Sequence, residues 1–247
     1  MCAIGVAAAV LVSAQSSSPL ALRRHPQHIY VYGPPDGSPV VVSSGDGGWI
    51  HLAPHVATIL AARGYRVVGL DVRTYLESFT SGRSTLRVED EPGDYRVLMH
   101  AAQGDGSKKT ILVGVSEGAG LSVLAAADAA AKPAILGVVG LGLPDLNELG
   151  WRWRDAIAYL THRLPSEPTF STAAIIATVA PIPIAAIHST HDEYVPIAEI
   201  ERVLRHAASP TRLWVIKASD HRFSDNLAEF DVRLLESMAW IEAHAPR

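Results

Sequence analysis

Short runs of β-branched and other apolar residues alternate along this chain with Ala-rich stretches of helical period, and that alternation restricts the fold more than any other feature. The strand-like runs are Ile29 to Tyr32, Val40 to Ser43, Arg66 to Asp71, Thr110 to Val115, Ile135 to Leu141, Ile182 to His188 and Arg212 to Lys217. Between them, Leu52 to Arg63, Tyr95 to Gln103, Glu117 to Ala131, Ala198 to His206 and Leu227 to His244 carry apolar residues near the helical period. The inner runs are continuously apolar rather than alternating, as strands must be when helices cover both faces of a parallel sheet. The expected architecture is therefore α/β, a three-layer sandwich with a mostly parallel central sheet. At 247 residues, 48% of them hydrophobic, the chain can bury one sizeable core.

Charge and termini narrow the partners. A formal charge of −4, with no Lys/Arg run longer than two, offers no field for a phosphate backbone, so nucleic acid is not an expected partner. Cys2 is the single cysteine, which excludes an internal disulfide and a thiolate metal cluster. The first 22 residues carry no charge; Ala3 to Val12 is apolar and Val12-Ser13-Ala14 resembles a signal-peptidase site. Residues 1–19 read as a signal peptide and a Ser-rich linker (Gln15 to Pro19), with folding starting near His28 and a single domain over 20–247. Export to the periplasm or beyond is the expectation. The apolar run is too short to span a bilayer, so no transmembrane anchor is expected, although contact with a membrane surface is compatible with it. Residues 151–181 break the alternation and read as an inserted cap.

The chemistry centres on Gly114-Val115-Ser116-Glu117-Gly118, a G-x-S-x-G pattern that falls where a strand ends and an Ala/Gly-rich helix begins. A sharp strand-to-helix turn exposes the hydroxyl, and small neighbours let strand and helix approach. The pentapeptide recurs by chance; its position between strand and helix is what points to a nucleophile. A serine hydroxyl needs an adjacent base at neutral pH. Of the eleven histidines, His221 stands where this elbow's base should, after the last strand and before the final helix. The orienting acid belongs in the loop after the preceding strand, where Asp192 is the candidate and Glu193 its rival. His188 and His191 beside Asp192 lack further ligands at metal-binding spacing, so no metal site is expected. No cofactor is needed for such a site.

Negative charge on a former carbonyl oxygen requires two backbone amides aimed at it. One is the amide of Glu117. The other comes from Ser44-Gly45-Asp46-Gly47-Gly48-Trp49, with Asp46 the candidate and Gly47 the alternative if the register slips by one. This Gly-rich loop lacks a Walker lysine and carries an acid that would repel phosphate. Gly47, Trp49, Trp151 and Trp153 are candidates for the substrate pocket. A carboxylate at Glu117, with Asp46 and Glu193 near, would favour a cationic acyl or alcohol group.

The Ser44 to Trp49 block, together with Val67 to Asp71, Arg73-Thr74-Tyr75, the pentapeptide at Ser116 and His221-Arg222-Phe223, resembles the VirJ/AcvB-type bacterial virulence proteins. That resemblance spans most of the chain after Val40. It implies an exported α/β-hydrolase fold, association with the periplasm and type IV secretion, and removal of aminoacyl groups from phosphatidylglycerol. It differs at Glu117, where an aromatic residue is expected, and no match is found for Trp151 to Pro181. The combined expectation is a serine ester hydrolase acting through Ser116, His221 and Asp192 on a small-molecule or lipid-headgroup ester. Its rival is an exported, non-catalytic binding or secretion adaptor that keeps the fold.

Overall fold

The computed structural model describes residues 16–104, 106–152 and 167–246. Eight strands form one sheet in the order β1-β2-β4-β3-β5-β6-β9-β10. These are Ser16–Leu22 (β1), His25–Tyr32 (β2), Ser38–Ser43 (β3), Tyr65–Leu70 (β4), Thr110–Val115 (β5), Ile135–Leu141 (β6), Ile184–Ser189 (β9) and Thr211–Ile216 (β10). From β4 to β10 all pairings are parallel; the β1–β2 hairpin adds to the β4 edge antiparallel. A second, two-stranded ribbon pairs Leu146–Glu148 (β7) with Thr169–Ser171 (β8).

Side-chain alternation along each strand divides the core into two layers. On one face Val40, Val42, Val67, Ile111 and Val113 pack against Leu52–Ala62 (α1) and the C-terminal helix. On the other, Val41, Val68 and Leu112 meet Val72–Phe79 (α2), Glu91–Gln103 (α3) and Glu117–Ala127 (α4). Thr172–Ile175 (α5) and Ile197–Arg205 (α6) follow on that same side, and Leu227–His244 (α7) closes the chain. Every residue of β5 is buried, which explains why its sequence shows no polar alternation.

Two expectations change. Ser16 to Pro19, read as linker, is the first half of β1, so regular structure is already present ahead of His28. This strand is exposed along most of its length, so its polar sequence carries no burial signal. The helix α2 was also missed. Its signals are local: Asp71 accepts from the Thr74 amide at 3.0 Å as an N-cap, and Val72, Tyr75, Leu76 and Phe79 are buried at helical spacing. Of the insertion expected over 151–181, residues 153–166 lie outside the described residues, as do residues 1–15. The flanks of that segment are tied at their base by Arg152 to Glu167, 2.6 Å, and by the β7–β8 ribbon.

Candidate active site

The chain leaves β3 toward β4 on one side and later enters β5 on the other, so the loops after β3 and β5 part at their carboxyl ends. Ligand crevices open at such a switch point. Here it forms a cleft of about 550 Å³ whose walls include Asp46, Gly47, Ser116, Glu117, Trp151 and His221.

Ser116 links β5 to α4 with φ 50° and ψ −118°, a conformation that costs a non-glycine residue on the order of 1–3 kcal/mol. The packing around it explains the flanking glycines. A Cβ on Gly114 would lie 2.2 Å from the Gly118 carbonyl oxygen, and one on Gly118 would lie 2.4 Å from the Ser44 carbonyl oxygen. Helix α4 is thus pressed onto both β5 and the end of β3. The Ser116 amide donates to the Leu141 carbonyl at 2.8 Å, and the Ala119 amide closes the first helical bond back to Ser116. The loop after β3 turns through Gly45 to Gly48 (Gly48 amide to Gly45 carbonyl, 3.0 Å), and a Cβ on Gly45 would stand 3.5 Å from that of Ser116. The Ser44 hydroxyl, accepting from the Val72 amide at 3.0 Å, moors this loop to α2.

His221 and Asp192 meet across 29 residues of sequence. His221 Nδ1 donates to Asp192 Oδ2 at 2.6 Å, and the carboxylate side chain is fully buried. Burial alone would raise Asp192, but the His221 hydrogen bond and charge and the amides of Val195 and Tyr194 outweigh it and hold the carboxyl below its ordinary value. Those amides donate to Oδ1 at 2.8 and 3.0 Å. Glu193, the rival acid, does something else: its Oε2 accepts from the His221 backbone amide at 2.7 Å. Among the described residues His221 Nε2 is buried without a hydrogen-bond partner.

The ring packs on the backbone at Gly142. Gly142 follows Leu141, whose carbonyl holds the Ser116 amide, and it has φ +60°. A Cβ there would sit 2.3 Å from His221 Cε1. The imidazole therefore rests on the backbone one residue from Ser116's own anchor. Nothing in the local sequence signalled this role for Gly142, because the contact joins residues 79 positions apart.

Other expectations divide. Gly47 and Trp151 line the cleft, with the Arg73 guanidinium 4.0 Å from the Trp151 ring centre. Trp49 does not: it is buried, stacked on Tyr30 at 4.7 Å, and its amide donates to Asp71, so it belongs to the core. Trp153 lies outside the described residues. Glu117 is buried rather than presented as a charge. Desolvation, reinforced by Asp46 and Glu148, pushes its carboxyl well above the ordinary range despite a backbone hydrogen bond from Glu148. Its carboxyl is harder to ionise than a free one, and the expected negative charge beside the nucleophile is weakened accordingly. Among the described residues no group of three His, Cys, Asp or Glu side chains could hold a metal ion, and no helix is long and apolar enough to cross a membrane.

The segment from β3 to the residue after Gly142 carries the glycine-rich loop and the elbow together. Residues 38–143 match the family of bacterial virulence protein VirJ. The VirJ match ends before Asp192 and His221, so it spans the elbow and the loop facing it but neither of those two residues. The solved structures extend the comparison to the whole fold. An esterase from Pyrococcus furiosus is 16% identical with a TM-score of 0.69, covering 92% of this chain and 91% of its own. Dienelactone hydrolase from Anabaena variabilis is 17% identical with a TM-score of 0.63, over 95% and 99%. A membrane phospholipase A, described as a bacterial virulence factor, is 13% identical with a TM-score of 0.64, over 92% and 86%. The chain has the α/β-hydrolase fold. Comparison with curated proteins returns no match.

Proposed function

We propose that this protein is a serine hydrolase that cleaves carboxylic esters. The observation that carries the reading is the buried 2.6 Å bond from His221 to Asp192, with the unpartnered Nε2 in the cleft that holds Ser116 on its strained turn. Nε2 takes the Ser116 proton as Oγ bonds to the acyl carbon, and the imidazolium that forms is stabilised by Asp192. The amides of Asp46 and Glu117 hold the oxyanion. That of Glu117 is the first of α4, where helix amides lack intrahelical acceptors. Collapse expels the alcohol, which receives the proton from His221. Water, activated by the same imidazole, then releases the acyl group.

The substrate in this reading is a small-molecule or lipid-headgroup ester, aminoacyl esters included. Its support is the wall of the cleft, where Ile50, Leu146 and Tyr194 are exposed apolar side chains beside the cations Arg73 and Arg222. The insertion around 151–181 would set selectivity between acyl and alcohol groups. The reading includes action outside the cytoplasm, in the periplasm or the medium, which the apolar run Ala3 to Val12 supports.

A fluorophosphonate probe tests this directly, because it reacts with an activated serine irrespective of the natural ester. Labelling of the intact protein that disappears in Ser116→Ala and His221→Ala is the expected result. Labelling that survives Ser116→Ala sinks the assignment, and an unreactive intact protein that binds esters without turnover points to a binding protein instead.

A further inference from the structure

His188 takes no part in the reaction above, yet it is buried close to the acid that orients the base. It is the penultimate residue of β9 and has no solvent exposure. Its Nε2 lies 2.8 Å from the Val195 carbonyl, which can only accept, so Nε2 carries the proton and Nδ1 is bare. Among the described residues that Nδ1 has no partner. The same Nε2 is 3.9 Å from Asp192 Oδ2, too far for a hydrogen bond.

Val195 is tied at both of its backbone polar groups. Its carbonyl accepts from His188, and its amide donates to Asp192 Oδ1 at 2.8 Å. The turn from Asp192 to Val195 is thereby closed on the strand that precedes it. Through that turn pass both supports of His221: Asp192 to its ring, and Glu193 to its backbone amide.

We propose that His188 is a positioning residue for the acid of the triad: as a neutral imidazole it holds Val195 and so aims Asp192 at His221, without competing for the carboxylate. The inference rests on the triad reading above. The charged and titratable groups around His188 are Asp192, His221 and, from α6, Glu199. Burial, with help from His221, outweighs the opposing pull of Asp192, the Val195 bond and Glu199, and depresses its proton affinity. A proton added at Nδ1 would find no acceptor among the described residues. The two imidazoles beside Asp192 thus divide the work: His188 holds the turn while His221 exchanges the proton with Ser116.

The test compares His188→Gln, whose amide nitrogen can replace the Nε2 donor, with His188→Leu and His188→Asn, which cannot reach Val195 as donors. Three readouts are used: exchange of the Val195 and Tyr194 amides, the far-downfield proton NMR signal of His221 Nδ1–H, and the pH profile of kcat on an ester that the intact enzyme turns over. In Leu and Asn we expect faster exchange, loss or upfield movement of the signal, and an acid limb displaced to lower pH. With them kcat should fall on the order of tenfold to a hundredfold at nearly constant KM, the scale of one charge-assisted hydrogen bond. Gln should restore all three. A folded Leu or Asn variant with the native signal and exchange, or a Gln variant as damaged as Leu, overturns the inference. The NMR and exchange arms need no turnover, so an inactive but spectroscopically responsive protein would refute the esterase reading and leave the positioning role standing.

Discussion

The Gly142→Ala substitution tests the site at the point where its two halves touch. The added Cβ would lie 2.3 Å from His221 Cε1, 2.8 Å from Nδ1 and 3.2 Å from Nε2. Carbon atoms in ordinary contact stand about 3.5–4.0 Å apart, so the ring has to retreat by roughly 1 Å or more. That retreat breaks the 2.6 Å alignment with Asp192 or carries Nε2 away from Ser116. Misplacement on the order of 1 Å costs about 10²-fold in rate. A second, separable cost arises because φ is +60° here, which disfavours alanine by about 1–2 kcal/mol. In a domain of this size that corresponds to a melting temperature lower by about 2–8 °C. Gly82→Ala supplies the control: its φ is +55° and nothing lies within 4 Å of its Cβ position. The assay is the rate of fluorophosphonate labelling, with thermal melts of both variants. Both should melt lower, and Gly142→Ala alone should label about a hundred times more slowly. A folded Gly142→Ala protein that labels at the native rate would show that the imidazole is not seated against residue 142 during reaction.

Asp192→Asn should lower kcat by about 10⁴, the scale seen when a triad imidazole is held in the wrong tautomer, whereas Glu193→Gln keeps an acceptor for the His221 amide and should cost less than about tenfold; steady-state kinetics giving the reverse order would reassign the acid. Glu91, fully buried at the start of α3 with neither carboxyl oxygen hydrogen-bonded among the described residues, is held well above the ordinary carboxyl range, by burial first and then by Asp94 and Asp128. Its unfolded form ionises above about pH 4.3 while the folded form stays neutral, so stability is lost as pH rises from there toward the folded value. Glu91→Gln should therefore raise the melting temperature at pH 7, and the gain should vanish as pH is lowered toward 4; a gain independent of pH would contradict the burial argument. Trp151→Leu should change the ratio of kcat/KM between short and long acyl esters while Trp49→Leu lowers the melting point without altering that ratio, since Trp151 lines the cleft and Trp49 packs on Tyr30.

The central strands and the elbow were legible because each is a local pattern. Continuous apolar runs of six or seven residues declare a covered sheet, and a glycine-flanked serine between strand and helix declares a strained turn. Helix α2 carried signals just as local, Asp71 and its spaced apolar residues, but they lie directly behind a strand and were absorbed into it. The hairpin strand β1 was not legible, because an exposed edge strand has no burial to write into its composition. Its residues Ser16 to Pro19 look like linker by chemistry and act as strand only by pairing with β2.

By itself the sequence determined which segments become strands and helices and which residue types sit at their carboxyl ends, since propensity, periodicity and turn chemistry act over a few neighbouring residues. Only the tertiary structure decided what those residues meet. It set Glu193 on the backbone of His221 rather than on its ring, sent Trp49 into the core, raised the proton affinity of Glu117 by burial, and laid the His221 imidazole on Gly142 with His188 beside Asp192. Desolvation and van der Waals contact depend on which distant segments share a volume, and that is a property of the packed sheet as a whole.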